Sequence, residues 1–206
     1  EERVGTYFVD KEIITEASVI HTFGEFEPSG NYYVTAEGAG NNNGLSFANA
    51  MSVPQMLALI EKVSTNDATK IAVDGAVFNF AAGEYELASD MLEIAYDEIE
   101  PVNLTFKASG DVAFSGNDSH SIMSIKGAHV TLDGIRVIKS VAKESFTGAI
   151  KVSGTNSKLT LKDCSVVGNS ADGYEITSSC FAVSDGALLT ATDCSFIGNT
   201  AYSAPV

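Results

Sequence analysis

The chain has 206 residues, 45 % of them hydrophobic, which is enough for one domain with a well-buried core. Its formal net charge is −15, and the excess is lopsided: residues 1–100 hold 18 Asp and Glu against 4 Lys and Arg, whereas residues 101–206 hold 9 against 8. A surplus of this sign repels phosphate backbones and argues against nucleic acid as a partner, and no stretch reaches the ~18 uninterrupted apolar residues that a membrane span needs.

The chain opens on Glu1-Glu2-Arg3, neither an initiator Met nor an apolar signal core, so its start reads as a processed or trimmed end. Short apolar runs within residues 1–30, such as Thr6–Val9 and Ile13-Ile14, predict an N-terminal extension of a few strands. Next comes a helix signal. Ser52 is an N-cap candidate with Pro54 in the first turn, and Met56, Leu57, Ile60 and Val63 follow at helical spacing, which predicts a helix over about residues 53–64. Beyond it the pattern turns to short alternating runs. Ile71-Ala-Val73 is followed by Phe78-Asn-Phe80, and Leu104-Thr-Phe106 by Val112-Ala-Phe114.

The strongest signal is a repeat in the last third. Val130–Ile138, Leu159–Val167 and Leu189–Ile197 align, with Ile135, Cys164 and Cys194 at matching positions; upstream of each, Met123–Ile125, Ile150–Val152 and Phe181–Val183 fall into the same register. Within each nine-residue segment apolar residues alternate on either side of a one-residue break, as in Leu159/Leu161 and Cys164/Val166 around Asp163. Period 2 means strand, and the break means a corner. A unit of about thirty residues with short strands and no helix cannot bury its apolar face alone, so it stacks on copies of itself. The predicted fold is all-β: a right-handed parallel β-helix of about five rungs over residues 70–206, with the helix as a cap on its N-terminal end. Val130, Leu159 and Leu189 would form one inward column; Ile135, Cys164 and Cys194 would form another. No amphipathic segment follows the last repeat, which points either to a longer coil or to self-association through an open C-terminal end.

Within this frame the chemistry-bearing residues read mostly as structural. Asp163 and Asp193 stand one rung apart at the same corner and are the candidate calcium ligands, with two solvated turn residues as the plainer reading. Asn169 and Asn199 share a position just after a strand, where stacked Asn side chains can form a ladder. Cys164 and Cys194 read as small inward residues; with Cys180 they lack both zinc-site spacing and the even number of a disulfide framework. His21, His120 and His129 sit in unrelated contexts and read as surface or loop residues. Arg136, Lys151 and Lys162 are the available basic groups for a lyase, and no Lys or Arg follows Lys162. Neither a phosphate loop nor an HExxH motif occurs.

Tyr32-Tyr-Val-Thr35, then Gly38–Ala50, then a helix, then Ala82-Gly-Glu-Tyr85, resemble the opening of many secreted bacterial proteins of the pectin-lyase-like β-helix superfamily. Gly148-Ala-Ile150, Val166-Val-Gly-Asn169 and Phe196-Ile-Gly-Asn199 are similar to the GGAI and FxxN repeats of chlamydial polymorphic outer-membrane proteins and related adhesins. Serine and cysteine at 179 and 180 stand where GGAI would recur. The resemblance implies an extracellular or cell-surface bacterial β-helix, in a superfamily that mixes polysaccharide lyases, glycoside hydrolases and non-enzymatic surface proteins. The expectation is a non-enzymatic, adhesin-like module that binds glycan or a surface protein. The alternative is the N-terminal part of a lyase or hydrolase whose catalytic rungs lie beyond residue 206.

Overall fold

A computed structural model describes residues 30–63, 73–96, 100–143, 148–172 and 178–201. The expectation of strands in residues 1–30 therefore lies outside the described residues, save for Gly30. Strand β1 (Asn31–Thr35) leads through a 3-10 turn at Phe47–Asn49 to β2 (Met51–Ser52) and helix α1 (Val53–Val63). The coil proper then begins, with β3 (Ala76–Tyr85), β4 (Leu92–Ala95), β5 (Val102–Ser115), β6 (Met123–Lys126), β7 (Ala128–Ile138) and β8 (Val141–Ala142). It continues with β9 (Ile150–Ser153), β10 (Lys158–Lys162), β11 (Ser165–Val167), β12 (Ser170–Ala171), β13 (Phe181–Ser184), β14 (Leu188–Thr192), β15 (Ser195–Ile197) and β16 (Thr200–Ala201).

All pairings are parallel, and they form a β-helix. The long sheet runs β14-β10-β7-β5-β3-β1-β2, with β11 and β15 continuing two of its levels past the corner; β13-β9-β6-β4 and β16-β12-β8 form the other two sheets. The register carries Phe78 onto Phe106, Leu132, Leu161 and Ala191, so five stacked levels enclose about four turns. Both predicted columns are present. Leu159 pairs with Val130 and with Leu189, and Ser165 pairs with Arg136 and Ser195, which sets the preceding Cys164 between Ile135 and Cys194. The Met123, Ile150 and Phe181 column is likewise in register.

The first level differs from its expected alignment. Phe78 pairs with Phe106 and Phe80 with Ala108, whereas Val112 and Phe114 pair with Gly83 and Tyr85, and Ile71-Ala72 lie outside the described residues. A length irregularity follows: between Lys107 and Val112 the register slips against Asp133/Ile135, so Ala108–Asp111 bulge relative to β7, while Ala108 and Ser109 keep their pairing with Phe80 and Ala81 of β3. Inward positions of these early levels are aromatic. Tyr32, Phe78 and Phe106 stack with centroids 5.2 and 5.7 Å apart, and Phe80 packs edge-on to Phe114 at 5.0 Å.

The cap is as expected, with one shift of face. Ser52 and Gln55 form a reciprocal capping box: Gln55 Oε1 accepts from the Ser52 N–H at 2.9 Å, while Ser52 Oγ accepts from the Gln55 N–H at 3.4 Å. Val53, Met56, Leu59 and Ile60 are buried in the same core cluster as the coil, while Leu57 is only partly buried. The Tyr96 hydroxyl donates to the Ile60 carbonyl at 2.9 Å and ties the helix to the end of β4; burial pushes this phenol up. Among the described residues no helix is long and apolar enough to cross a membrane.

Candidate functional site

The corner residues explain themselves through backbone geometry. Asp163 and Asp193 adopt φ of 51° and 54°, and Gly134 in the matching slot of the previous level has φ of 73°. This left-handed conformation favours Gly, with Asp and Asn next, so each Asp occupies a turn position that selects it without a ligand. Both carboxylates are exposed, and no group of three or more His, Cys, Asp or Glu that could hold a metal occurs among the described residues.

Asn169 and Asn199 form the expected ladder. Asn169 Nδ2 donates to Asn199 Oδ1 at 2.9 Å and to the Val137 carbonyl at 3.0 Å, its Oδ1 accepts from the Ser140 N–H at 3.0 Å, and Asn199 Nδ2 donates to the Val166 carbonyl at 2.8 Å. All three thiols are free. Cys164 is buried and donates to the Leu132 carbonyl at 3.3 Å, and burial pushes its thiol up to about 11. At pH 8 only about one molecule in a thousand would carry the reactive thiolate there. A thiol reagent added to the folded protein should therefore label Cys164 only on unfolding, after the partly exposed Cys180 and Cys194. Labelling of Cys164 at the rate of a free thiol would contradict its burial.

Polar groups gather instead on the outer face at the end of β3. The Ala108–Asp111 bulge carries Asp111 to Arg136, whose Nε and Nη2 donate to the two carboxylate oxygens at 2.7 and 3.1 Å. The pairing holds Asp111 below the usual carboxylate range and raises the Arg136 pKa, so this arginine stays protonated and is a poor acceptor for a sugar proton. Lys139 donates to Glu84 at 2.9 and 3.2 Å, which lowers the Glu84 pKa. Lys151 and Lys162 pair in different sheets, with Ser124 and Asp133 respectively, so the three basic groups do not converge.

His120 departs from its surface reading. It lies in a bend, as expected of a loop residue, but is only 8 % exposed; Nδ1 is 2.8 Å from the Ser121 carbonyl oxygen and Nε2 is 3.1 Å from Glu86 Oε1. The bend is fixed by Gly116, whose carbonyl accepts from the His120 N–H at 3.1 Å, and a Cβ added at Gly116 would come within 2.2 Å of the His120 carbonyl oxygen. His129 is half-buried on β7, 3.2 Å from Asn103 Oδ1, and His21 lies outside the described residues. The Glu86 to His120 contact spans 34 residues, and no motif in the sequence marks it.

His120 lines one cleft and Glu86 another. One, of about 240 Å³, is lined by Asp90, Met91, Ser119, His120, Val141 and Lys143. The other, of about 470 Å³, lies between the start of α1 and the end of β3: Val53, Pro54, Leu57, Leu87 and Ala88 give it apolar walls, and Glu37, Glu84 and Glu86 line it with carboxylates. Residues 84–91 contribute to both clefts. Comparison of the chain with protein-family models, with curated proteins and with solved structures finds no match, so the superfamily and adhesin likenesses rest on the motifs alone while the parallel β-helix rests on the strand pairing.

Proposed function

We propose that this chain is a non-enzymatic, adhesin-like β-helix module of the bacterial surface or exterior, and that it binds glycan in the cleft beside its cap. The observation that carries this reading is the composition of that cleft. Apolar walls from Val53, Pro54, Leu57, Leu87 and Ala88 suit the C–H face of a sugar ring, and Glu37, Glu84 and Glu86 offer acceptors for paired hydroxyls. Three carboxylates in a protein of net charge −15 favour a neutral saccharide over a uronate.

Chemistry is less well supported than binding. Glu84 is engaged by Lys139, Glu86 by His120, and both ring nitrogens of His120 already face acceptors. The GGAI- and FxxN-like repeats and the shortage of basic residues support the surface-module reading over the N-terminal part of a lyase or hydrolase.

Calorimetry with neutral oligosaccharides and with oligouronates, each with and without calcium, tests it. A neutral ligand should bind, and Glu37→Gln should weaken it on the order of tenfold, about the loss of one hydrogen bond to a charged group. Silence across the panel would overturn the reading, as would release of cleaved product at enzyme-like rates.

A further inference from the structure

The ring of His120 lines the smaller cleft, and Glu86, which it contacts, lines the larger one beside the cap. The two ring nitrogens face different acceptors. Nδ1 is 2.8 Å from the Ser121 carbonyl oxygen, which can only accept, so this contact is a hydrogen bond when Nδ1 carries a proton. Nε2 is 3.1 Å from Glu86 Oε1. A neutral imidazole has a single proton, and with it on Nδ1 the bare lone pair of Nε2 would face a carboxylate oxygen. A second proton turns that repulsion into a charge-assisted hydrogen bond, so the imidazolium alone makes both contacts together. With the ring only 8 % exposed, water is poorly placed to stand in for either partner.

The bend that carries the ring is fixed, whereas Glu86 is free to move. The Lys139 carbonyl accepts from the Asp118 N–H at 2.8 Å and the His120 carbonyl from the Val141 N–H at 3.1 Å, which ties the bend to the β7–β8 connection and to β8. Glu86 follows the end of β3, and its side chain is 40 % exposed. Asn117, on the same bend as His120, donates from Nδ2 to Glu86 Oε2 at 3.4 Å. Held at both oxygens, the carboxylate keeps a spare lone pair on each, an arrangement that suits two neighbouring hydroxyls of a sugar.

We propose that His120 is a positioning residue of the larger cleft and that its protonation sets saccharide affinity there: the imidazolium holds Glu86 in its acceptor position, and the neutral ring releases it. This regulation rests on the glycan reading of that cleft. The charged groups around the pair are few among the described residues. Asp118 lies on the bend itself, Asp90 on the β3–β4 connection, and Lys139 and Lys143 on either side of β8; Glu37 and Glu84 share the larger cleft with Glu86. Lys139 is taken by Glu84, and Asp90 and Lys143 line the smaller cleft with opposite charges, which leaves Glu86 as the charged group bonded to the ring. Across about pH 5 to 8 a histidine changes charge and an ordinary carboxylate does not, so the switch belongs to the ring.

Two measurements test the proposal. In the free protein, NMR signals of the His120 ring and the Glu86 carboxylate, followed from about pH 5 to 8, should move together with one midpoint. A ring that keeps one protonation state over this range, or a Glu86 signal indifferent to the ring, would overturn it. In calorimetry a neutral oligosaccharide should bind on the order of tenfold more weakly at the upper end of the range than at the lower, about the loss of one hydrogen bond to a charged group. His120→Gln keeps a donor for Glu86 without a titrating ring and should flatten this profile. Glu86→Gln, made on a partly exposed side chain, should flatten it too and serves if the buried variant misfolds. Unchanged affinity across the range, while ring and carboxylate still titrate together, would overturn the regulation alone, as would folded variants whose profile stays as steep as the parent's. Silence of every saccharide at every pH would overturn the glycan reading beneath it.

Discussion

Phe106→Ala is expected to destabilise the protein by about 3–5 kcal/mol, the range for deleting a buried aromatic ring. Phe106 is fully buried and stands between Phe78 and Leu132 in the inward column, with Phe78, Phe80 and Phe114 at centroid distances of 5.7, 6.0 and 6.0 Å. Its loss opens a cavity shared by the levels above and below. In a coil whose levels touch only their neighbours, that cavity weakens the coupling of the capped end to the rest. For a chain of this length the melting temperature should fall on the order of 10 °C. Two comparisons give the measurement its meaning. Phe106→Leu should cost well under half as much, because Leu132 and Leu161 already fill the same column with leucine. Phe196→Ala should cost about 1 kcal/mol or less, since the ring lies half in solvent on the open edge. Equal losses at 106 and 196 would mean that the aromatic levels do not form one packed unit.

The parts of this fold that are legible in the sequence are those where a level repeats at constant length. From Val130 onward the steps are 29 and 30 residues, so apolar alternation, the cysteine column and the Asn pair align by inspection and describe real neighbours. Upstream the steps from Phe78 to Phe106 and from Phe106 to Leu132 are 28 and 26, and between Lys107 and Val112 the register against Asp133/Ile135 slips as well. Because alternation is blind to such slips, it sets Phe78–Phe80 against Val112–Phe114, whereas Phe78 pairs with Phe106. The bulge is also what brings Asp111 to Arg136. The cleft was hidden for a related reason. Glu86 and His120 are set by the lengths of two connections rather than by any strand, and a buried histidine held by a carboxylate leaves no local pattern. Asp163 and Asp193, which did stand out, are accounted for by a left-handed corner that Gly134 fills one level earlier.

Asn169→Ala tests the polar side of the same stacking. The amide is fully buried and bonds to both neighbouring levels: the Val137 carbonyl and Ser140 N–H one level back, and Asn199 one level on. Alanine would leave the Ser140 N–H and the Val137 carbonyl without this partner in a buried corner where Ser140 Oγ already has none. Each buried group so orphaned costs about 1–3 kcal/mol, which puts the total near 3 kcal/mol, read as a fall in the urea midpoint at unchanged slope. Asn169→Asp is the sharper variant. It keeps the shape and the acceptor for Ser140, but replaces the amide donor by a buried carboxylate oxygen facing the Val137 and Asn199 oxygens. The stability of Asn169→Asp should therefore improve as pH falls and the carboxyl takes up a proton, opposite to the usual acid weakening of a protein this rich in carboxylates. Asn199→Ala, at the partly exposed end of the ladder, should cost only about 1 kcal/mol, because water can reach the groups it abandons. Similar costs at 169 and 199 would show that the two amides do not act as successive steps of one buried ladder.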